Sequence, residues 1–245
     1  AVTEKNMRQI RAARKLIRRK QRQYEIQNLQ FAEMQEDAGL KEYLDRCTFI
    51  NKDGEVCEFT DLQKHDLNLV LQKRYALLNW QQGSGKTAAV YHRAKYLLKF
   101  RKAKNVIILA PAIATNMTWI PFLTINKERF RTIQTADDLD NVPEGTFLVV
   151  STSMLRKLKR GLMRFVKRTS GKLCLVFDES DEITNPTSQR TRNILCIFRR
   201  FRYKILDTGT TTRNNIAELY SQFELLYNNS VNMICWSPQV YHENR

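Results

Sequence analysis

Short, strongly apolar segments alternate with amphipathic segments over most of the chain after residue 60. The apolar segments are YALLNW, NVIILAPA, TFLVVSTS, KLCLVFDES and YKILDTGT. The segments between them, such as KTAAVYHRAKYLLKF and MLRKLKRGLMRFVKR, place their apolar residues at helical spacing. A strand this apolar must be covered on both faces. The alternation therefore predicts an α/β fold with a parallel sheet and helices on both faces.

The N-terminal segment has a different composition from the rest of the chain. Its first 24 residues hold nine lysines or arginines and one glutamate. Apolar residues recur at helical spacing from Met7 to Ile17, and Gly39 offers a stop. We predict a basic helical extension over residues 1–39, followed by the α/β part over residues 40–245. The extension either lies along nucleic acid, or is a solvated helix that packs its apolar stripe on the main domain or links to something upstream.

The segment CTFINKDGEVCEF, near the start of the α/β part, predicts a short β-hairpin that turns at Asp53-Gly54. The chain has five scattered cysteines, and they do not form the two closely spaced pairs of a zinc site. We therefore expect reduced thiols rather than disulfides or a zinc site.

The charge balance indicates a polyanionic partner. Lysine and arginine number 41 against 25 aspartates and glutamates, which gives a net charge of +16. Such an excess favours nucleic acid, because basic side chains neutralise phosphates and release counterions. No apolar run approaches the ~18 residues of a membrane span, and no apolar segment follows the basic N-terminus as in a secretory signal. We expect no membrane partner and a cytoplasmic protein, or a nuclear one in a eukaryote.

The stretch NWQQGSGKTAAV lies between the apolar segment YALLNW and the helical segment that follows. Strand, glycine-rich loop and helix in this order are the context that a phosphate-binding loop requires. The predicted nucleotide-binding residues of the loop are Gly83, Ser84, Gly85, Lys86 and Thr87. Lys86 would reach the β- and γ-phosphates, and the hydroxyl of Thr87 would ligate Mg²⁺. Trp80 stands where the general pattern has its first glycine.

A second acidic motif, KLCLVFDESDEI, supplies two carboxylates at the end of a predicted strand. The carboxyl ends of parallel strands lie at the edge of the sheet where ligands bind. Asp178 is the candidate for holding Mg²⁺ through water, and Glu179 for polarising the attacking water. Read alone, this acidic run is equally compatible with the N-terminal cap of a helix.

Five segments in this order resemble the first RecA-like lobe of superfamily-two helicases, in the Swi/Snf-like branch of double-stranded DNA translocases. They are GSGKT, APAIATNMTW, VVSTSML, VFDESDEITNPTSQRT and LDTGTTTRNNIAELYSQFELL. The resemblance covers about residues 60–230 and is most specific after residue 184. It implies a RecA-like sheet, ATP and Mg²⁺ as cofactors, and hydrolysis coupled to movement on duplex DNA.

The resemblance also implies roles for the residues that match the family's motifs. The implied catalytic residues are Lys86, Asp178 and Glu179, with Thr87 and Asp178 at the metal. The segments that line the DNA backbone in the family contain Ala110, Pro111, Thr118, Ser151 and Thr152. The segment that links hydrolysis to lobe movement contains Thr208, Gly209 and Thr210.

Two departures from the family's pattern concern side chains near the nucleotide. Relatives usually have a glutamine upstream of the loop, which reads the adenine edge. His65 and Asp66 stand in its place here and are the predicted base contacts, although an aspartate cannot donate to N7 of adenine. Gln63 substitutes only if the helix register differs. Asp181 stands where many relatives have histidine.

A third departure concerns the second RecA-like lobe, which supplies arginine fingers in the family. Such a finger contributes ~10³-fold or more to the rate. Nothing after Thr210 offers a second phosphate-facing lobe, so we expect that lobe from a further part of the protein or from another chain. We predict that these 245 residues bind ATP-Mg²⁺ and hydrolyse it poorly alone.

The segment after VVSTS carries eight lysines or arginines and no acid between Arg156 and Lys172. The predicted phosphate contacts on this segment are Arg156, Lys157, Lys159 and Arg160. No aromatic residues are interleaved with the central basic ones, which favours contact with the DNA backbone rather than stacking on bases. The alternative is an ordinary solvated helix.

Two other classes of function compete with the motor. A different phosphate-loop enzyme is disfavoured: a GTPase needs N-K-x-D after the loop, and the only NKD lies upstream. No lid or acceptor pocket of a kinase is visible. A nucleotide-regulated DNA-binding or assembly module, which does not hydrolyse ATP itself, stays open.

Overall fold

The computed structural model describes residues 4–27, 34–169, 171–209 and 216–227. Its strands are β1 (Thr48–Ile50), β2 (Val56–Glu58), β3 (Tyr75–Leu78), β4 (Asn105–Ala110), β5 (Phe130–Thr132), β6 (Phe147–Ser151), β7 (Leu173–Phe177) and β8 (Tyr203–Asp207). Its helices are α1 (Glu4–Gln27), α2 (Ala38–Asp45), α3 (Asp61–Leu71), α4 (Lys86–Lys99), α5 (Ala112–Ala114), α6 (Ile120–Ile125), α7 (Leu155–Arg168), α8 (Gln189–Phe198) and α9 (Tyr220–Leu226). A π-helical stretch, Thr115–Trp119, joins α5 to α6.

Six strands form one parallel sheet in the order β3–β8–β7–β4–β6–β5. Strands β4 and β7 are buried along their whole length, as strands with helices on both faces must be. The predicted α/β fold with a RecA-like parallel sheet is confirmed. All six carboxyl ends lie along one edge of the sheet, where the strands lead into the predicted functional segments.

Alternate residues of each strand enter two separate cores. In β4, Val106 and Ile108 pack on the face that α4 covers, and Ile107 and Leu109 pack on the face that α7 and α8 cover. Cys174 and Val176 of β7 belong to the α4 face in the same way, and Phe177 belongs to the other. The residue after Phe177 is therefore directed towards α4.

The predicted hairpin is confirmed, since β1 and β2 pair antiparallel across a turn that contains Asp53 and Gly54. The predicted stop at Gly39 is wrong. Gly39 lies in the first turn of α2, whose N-cap Asp37 accepts a hydrogen bond from the backbone of Leu40. The cap outweighs the low helix propensity of glycine at this position. The division of the chain at residue 39 stays a prediction.

Helix α1 is present, although it ends at Gln27, before the predicted limit of the extension. Its apolar residues are exposed, with Met7 at 40% and Ile17 at 56% of their full exposure. The two interpretations of this helix both stay predictions. None of the helices in the described ranges combines the length and the apolar character needed to cross a membrane.

His92 on α4 is buried among the rings of Phe49, Phe59 and Tyr91. Burial lowers the pKa of His92 to about 4. The unfolded chain binds a proton near pH 6.5, whereas the folded protein resists protonation, so stability falls as the pH drops from 6.5 towards 4. The free energy of unfolding that the wild type loses on acidification should be smaller in His92→Phe by up to about 3 kcal/mol. Urea unfolding of the wild type and the variant at pH 7.5 and pH 4.5 measures this difference. An equal fall in the free energy of unfolding of both proteins would contradict its assignment to His92.

Candidate nucleotide site and nucleic-acid edge

The sheet order divides the predicted functional residues along the carboxyl edge. The loop follows β3, Thr208 and Gly209 follow β8, and Asp178 and Glu179 follow β7. Pro111 follows the next strand, β4, and Ser151 ends β6. The predicted phosphate, metal and coupling residues therefore follow three adjacent strands, and predicted DNA residues follow or end the next two. Thr210 lies outside the described residues.

The loop has the backbone of an anion cradle. Gly83 and Gly85 adopt φ angles of 81° and 80°, a conformation that side chains with a Cβ rarely accept. A Cβ at Gly83 would meet nothing within 4 Å, so the φ angle rather than crowding favours glycine there. Gly85 is the N-cap of α4 and Lys86 begins it, which directs the positive end of the helix dipole at the same space.

Lys86 lies folded over the loop and beside the segment after β8. Its Nζ donates hydrogen bonds to the carbonyl oxygens of Trp80 (3.1 Å) and Gln81 (3.2 Å). A Cβ at Gly209 would lie 3.6 Å from the same Nζ. The predicted phosphate-binding lysine and the predicted coupling segment are therefore in contact range of each other.

Trp80, which replaces the first glycine of the loop pattern, joins the loop to α3. Its indole Nε1 donates to Oδ2 of Asp66 at 2.8 Å. The ring of His65 bonds Oε1 of Glu36 at 2.8 Å. Gln63, in contrast, donates from Nε2 to the carbonyl of Ser84 at 2.9 Å. Of the three residues considered for the base contact, Gln63 is therefore the one that bonds the glycine-rich part of the loop directly.

Asp178 is buried at the carboxyl end of β7. Its Oδ2 accepts a hydrogen bond of 2.8 Å from Nε1 of Trp119. Burial raises the pKa of Asp178 above its usual value, and the bond from Trp119 opposes that rise. Glu179, the next residue, has a φ of 53°, which is a strained backbone conformation for a side chain of this size.

Asp207 was not predicted as a site residue. Phe177 pairs with Leu206 in the sheet, so Asp178 and Asp207 stand at equivalent positions on adjacent strands. Asp207 is 1% exposed, and neither carboxylate oxygen has a hydrogen-bond partner. Burial raises its pKa well above the usual value, the charge of Asp178 adds to the rise, and Lys86 opposes it. A buried carboxylate without a partner is costly, and such groups concentrate at functional sites.

These residues fit a nucleotide with a magnesium ion. The loop offers N–H groups and a cation for phosphates, and Thr87 and Asp178 offer the hard oxygen ligands that Mg²⁺ requires. In the part of the chain that the structure describes, no three His, Cys, Asp or Glu side chains converge as metal ligands. Mg²⁺ suits such a site, because it binds through one or two carboxylates together with phosphates and water.

The predicted DNA residues differ in what they expose. Thr118 is exposed, and Pro111 is half-buried at the N-cap of α5. The hydroxyl of half-buried Ser151 lies 2.8 Å from that of Ser153. Thr152 is buried in a 3₁₀ turn, so of this pair only Ser151 presents a hydroxyl at the edge.

Helix α7 continues from this edge with a basic outer face. Its apolar face packs into the core through Leu158, Leu162 and Phe165. The predicted phosphate contacts on this face are Arg156, Lys157, Lys159 and Arg160. All four are exposed or half-buried. None of them forms an ion pair with another described residue. Four cations without acidic partners therefore follow the Ser151 turn.

Comparison with known proteins shows which proteins the chain resembles. No family model matches the chain. The ATP-dependent helicase FUN30 of Saccharomyces cerevisiae is 27% identical in an alignment of 175 residues that covers 66% of this chain. The SWI2/SNF2 ATPase core of Sulfolobus solfataricus in complex with dsDNA aligns with 76% of this chain at a TM-score of 0.61 and 18% identity. The chain shares the RecA-like fold of this core, and its sequence is similar to that of the yeast helicase.

The chain corresponds to part of each relative. It spans 15% of the yeast helicase and 38% of the Sulfolobus chain. The UvsW helicase of bacteriophage T4 shares the fold at a TM-score of 0.54 and 15% identity, over 78% of this chain and 67% of that one.

Three residues that contact the site were missed or left open in the sequence analysis. Gln63 was left open, because its contact with the loop depends on the register of α3. Trp119 was missed, although it ends the quoted segment APAIATNMTW, because its hydrogen bond to Asp178 joins positions 59 residues apart. Asp207 carries a sequence signal, since an acid follows the apolar pair Ile205-Leu206 at the end of the strand YKILD.

Proposed function

We propose that this chain is the ATP-binding motor lobe of a DNA-dependent ATPase, which couples hydrolysis of ATP-Mg²⁺ to movement on duplex DNA. The observation that carries the proposal is the convergence of the loop, Asp178 and Gly209 at three adjacent strand ends. A bare phosphate-binding loop would not need the third of these. Its presence beside Lys86 supports a machine in which the nucleotide state reaches another segment.

The chain's own residues divide the work at the nucleotide. Backbone N–H groups from Gly83 to Gly85 and the Nζ of Lys86 bind the phosphates, which requires Lys86 to release the carbonyls that it now contacts. The hydroxyl of Thr87 and the carboxylate of Asp178 hold Mg²⁺, Asp178 through water. Bound Mg²⁺ neutralises charge on the phosphates. Glu179 orients and polarises the attacking water.

Recognition of the base rests on α3. Gln63 is bound to the loop through its Nε2 and is positioned by the Thr60 capping box. One oxygen of Asp66 is engaged by Trp80. We propose that Gln63 and the second oxygen of Asp66 form the polar side of the base pocket. His65, next to Asp66 on α3, would line the same pocket.

The DNA partner lies on the second half of the edge in this proposal. Thr118, Ser151 and the basic face of α7 supply hydroxyls and cations, the groups that bind DNA phosphates. The Sulfolobus core, whose fold the chain shares, was solved with dsDNA. A second RecA-like lobe, on a further part of the protein or on another chain, would complete the active site. We place the protein in the cytoplasm, or in the nucleus of a eukaryote.

ATP turnover with and without duplex DNA, beside Glu179→Gln, tests the proposal. We expect ATP binding with turnover well below the ~1 s⁻¹ at which ordinary enzymes begin. Glu179→Gln should bind ATP as well as the wild type, because Glu179 acts on water. DNA-stimulated turnover near 1 s⁻¹ that Glu179→Gln abolishes would contradict the need for a second lobe. Absence of ATP binding would overturn the proposal itself.

A further inference from the structure

We propose that Trp119 is a positioning residue that fixes the magnesium-binding carboxylate of Asp178 and makes it respond to DNA at the neighbouring segment. This inference rests on the proposed function, because it assigns a connection between its two ligands. Trp119 itself touches neither ligand. It acts through Asp178.

The contact is well suited to hold a carboxylate in one orientation. Trp119 is fully buried, and its only polar atom, Nε1, donates to Oδ2 of Asp178 at 2.8 Å. An indole N–H can only donate, and a buried ring packed on all sides cannot rotate away. This hydrogen bond restricts the orientation of the whole carboxylate, because both oxygens turn together. Groups that orient metal-binding side chains in this way usually affect metal affinity strongly.

The backbone at Trp119 connects this contact with the DNA edge. Trp119 follows Thr118 directly, so an exposed side chain and a fully buried one are a single peptide apart. Both belong to the π-helical stretch Thr115–Trp119. Movement at Thr118 must therefore reach the ring of Trp119 within one residue.

The π-helical stretch has features of an element with an alternative state. Single π-turns within α-helices are rare and are frequent at functional sites. The hydroxyl of Thr115, which begins the stretch, is buried without a hydrogen-bond partner. Met117 in this stretch is 76% exposed, and Ile113 in α5, two residues before the stretch, is 79% exposed. An unsatisfied buried group and exposed apolar groups in one short segment indicate a conformation that a ligand can change at little cost.

The first experiment separates positioning from general structural support. A fluorescent ATP analogue is titrated in Mg²⁺ and in EDTA for the wild type and Trp119→Phe, which removes the N–H donor. We expect the half-saturating Mg²⁺ concentration to rise about 10-fold, while affinity in EDTA is unchanged. Benzothienylalanine at position 119, which keeps the ring shape without the N–H, should give the same rise. An unchanged Mg²⁺ requirement, or equal losses with and without Mg²⁺, would overturn the inference.

The second experiment tests whether the effect passes through Asp178. In an Asp178→Asn background, Trp119→Phe should change the Mg²⁺ requirement far less than in the wild type, because coupled residues are not additive. Full additivity would overturn the inference.

The third experiment tests the connection with DNA. A saturating duplex should lower the Mg²⁺ requirement of the wild type by about 5-fold or more, the size of ordinary coupling between two sites. Trp119→Phe should lose most of this shift while still binding DNA. An equal shift in both proteins would overturn the DNA part. A wild type that shows no Mg²⁺-dependent ATP binding would instead overturn the proposed function, so the two failures are distinguishable.

Discussion

Lys86→Ala is expected to weaken ATP binding by at least about 100-fold, because charge-assisted hydrogen bonds contribute about 1.5–3 kcal/mol each and the ammonium would contact two phosphates. The fold should survive the change. Lys86 begins α4, where alanine is a good helix former, and its present partners are two carbonyls of the loop. Isothermal titration with ATP-Mg²⁺ measures the loss, and a thermal melt verifies folding.

Lys99→Ala provides the matched control. Lys99 lies at the other end of α4, is exposed, and has its Nζ 5.1 Å from the ring centre of Tyr43. Its removal lowers the positive charge of the same helix by the same amount without touching the loop. Equal ATP affinities of Lys86→Ala and the wild type would remove the phosphate-binding role from the loop. Equal weakening by Lys99→Ala would attribute the effect to net charge instead.

The sheet was predictable because strands this apolar must be buried, with helices packed on both faces of the sheet. YALL, NVIILA, FLVVS, LCLVF and YKILD all became strands of the sheet. β5 was not predicted, since three half-buried residues at a sheet edge carry no periodicity. Gly39 was misjudged as a stop, because the side chain that caps α2 is that of Asp37, which lies before the glycine and accepts a hydrogen bond from the backbone of Leu40.

The parts of the site that lie within one segment were predictable, and the parts that join segments were not. The positions of the GSGKT and FDE side chains follow from the sequence, because a loop after a strand and the end of a strand are local features. The Trp80–Asp66 and Trp119–Asp178 pairs depend on helix orientation over the sheet. Composition cannot show that each indole has a carboxylate within reach. The same limit explains why Asp66 was assigned to the base although its Oδ2 is bound to the loop.

The second large effect is expected on DNA binding. Replacing Arg156, Lys157, Lys159 and Arg160 together with glutamine should weaken duplex binding by about 10²- to 10³-fold near 0.1 M salt. The slope of log affinity against log salt should fall in magnitude by about 3 to 4, since each phosphate contact contributes about 0.9. Glutamine retains helix propensity, and none of the four side chains belongs to the apolar face of α7.

Fluorescence anisotropy over a range of salt concentrations measures the slope, and a second duplex of unrelated sequence should give the same values. The matched control removes four arginines from α1, which are also exposed: Arg8, Arg11, Arg14 and Arg18. Both variants lose four positive charges, so an effect of net charge alone would be the same in each. We expect the α7 variant to lose the larger part of the slope, because α7 continues from the Ser151 turn at the ligand edge. A slope within one unit of the wild type in the α7 variant would contradict its role. A full loss in the α1 variant would place the duplex on the N-terminal helix instead.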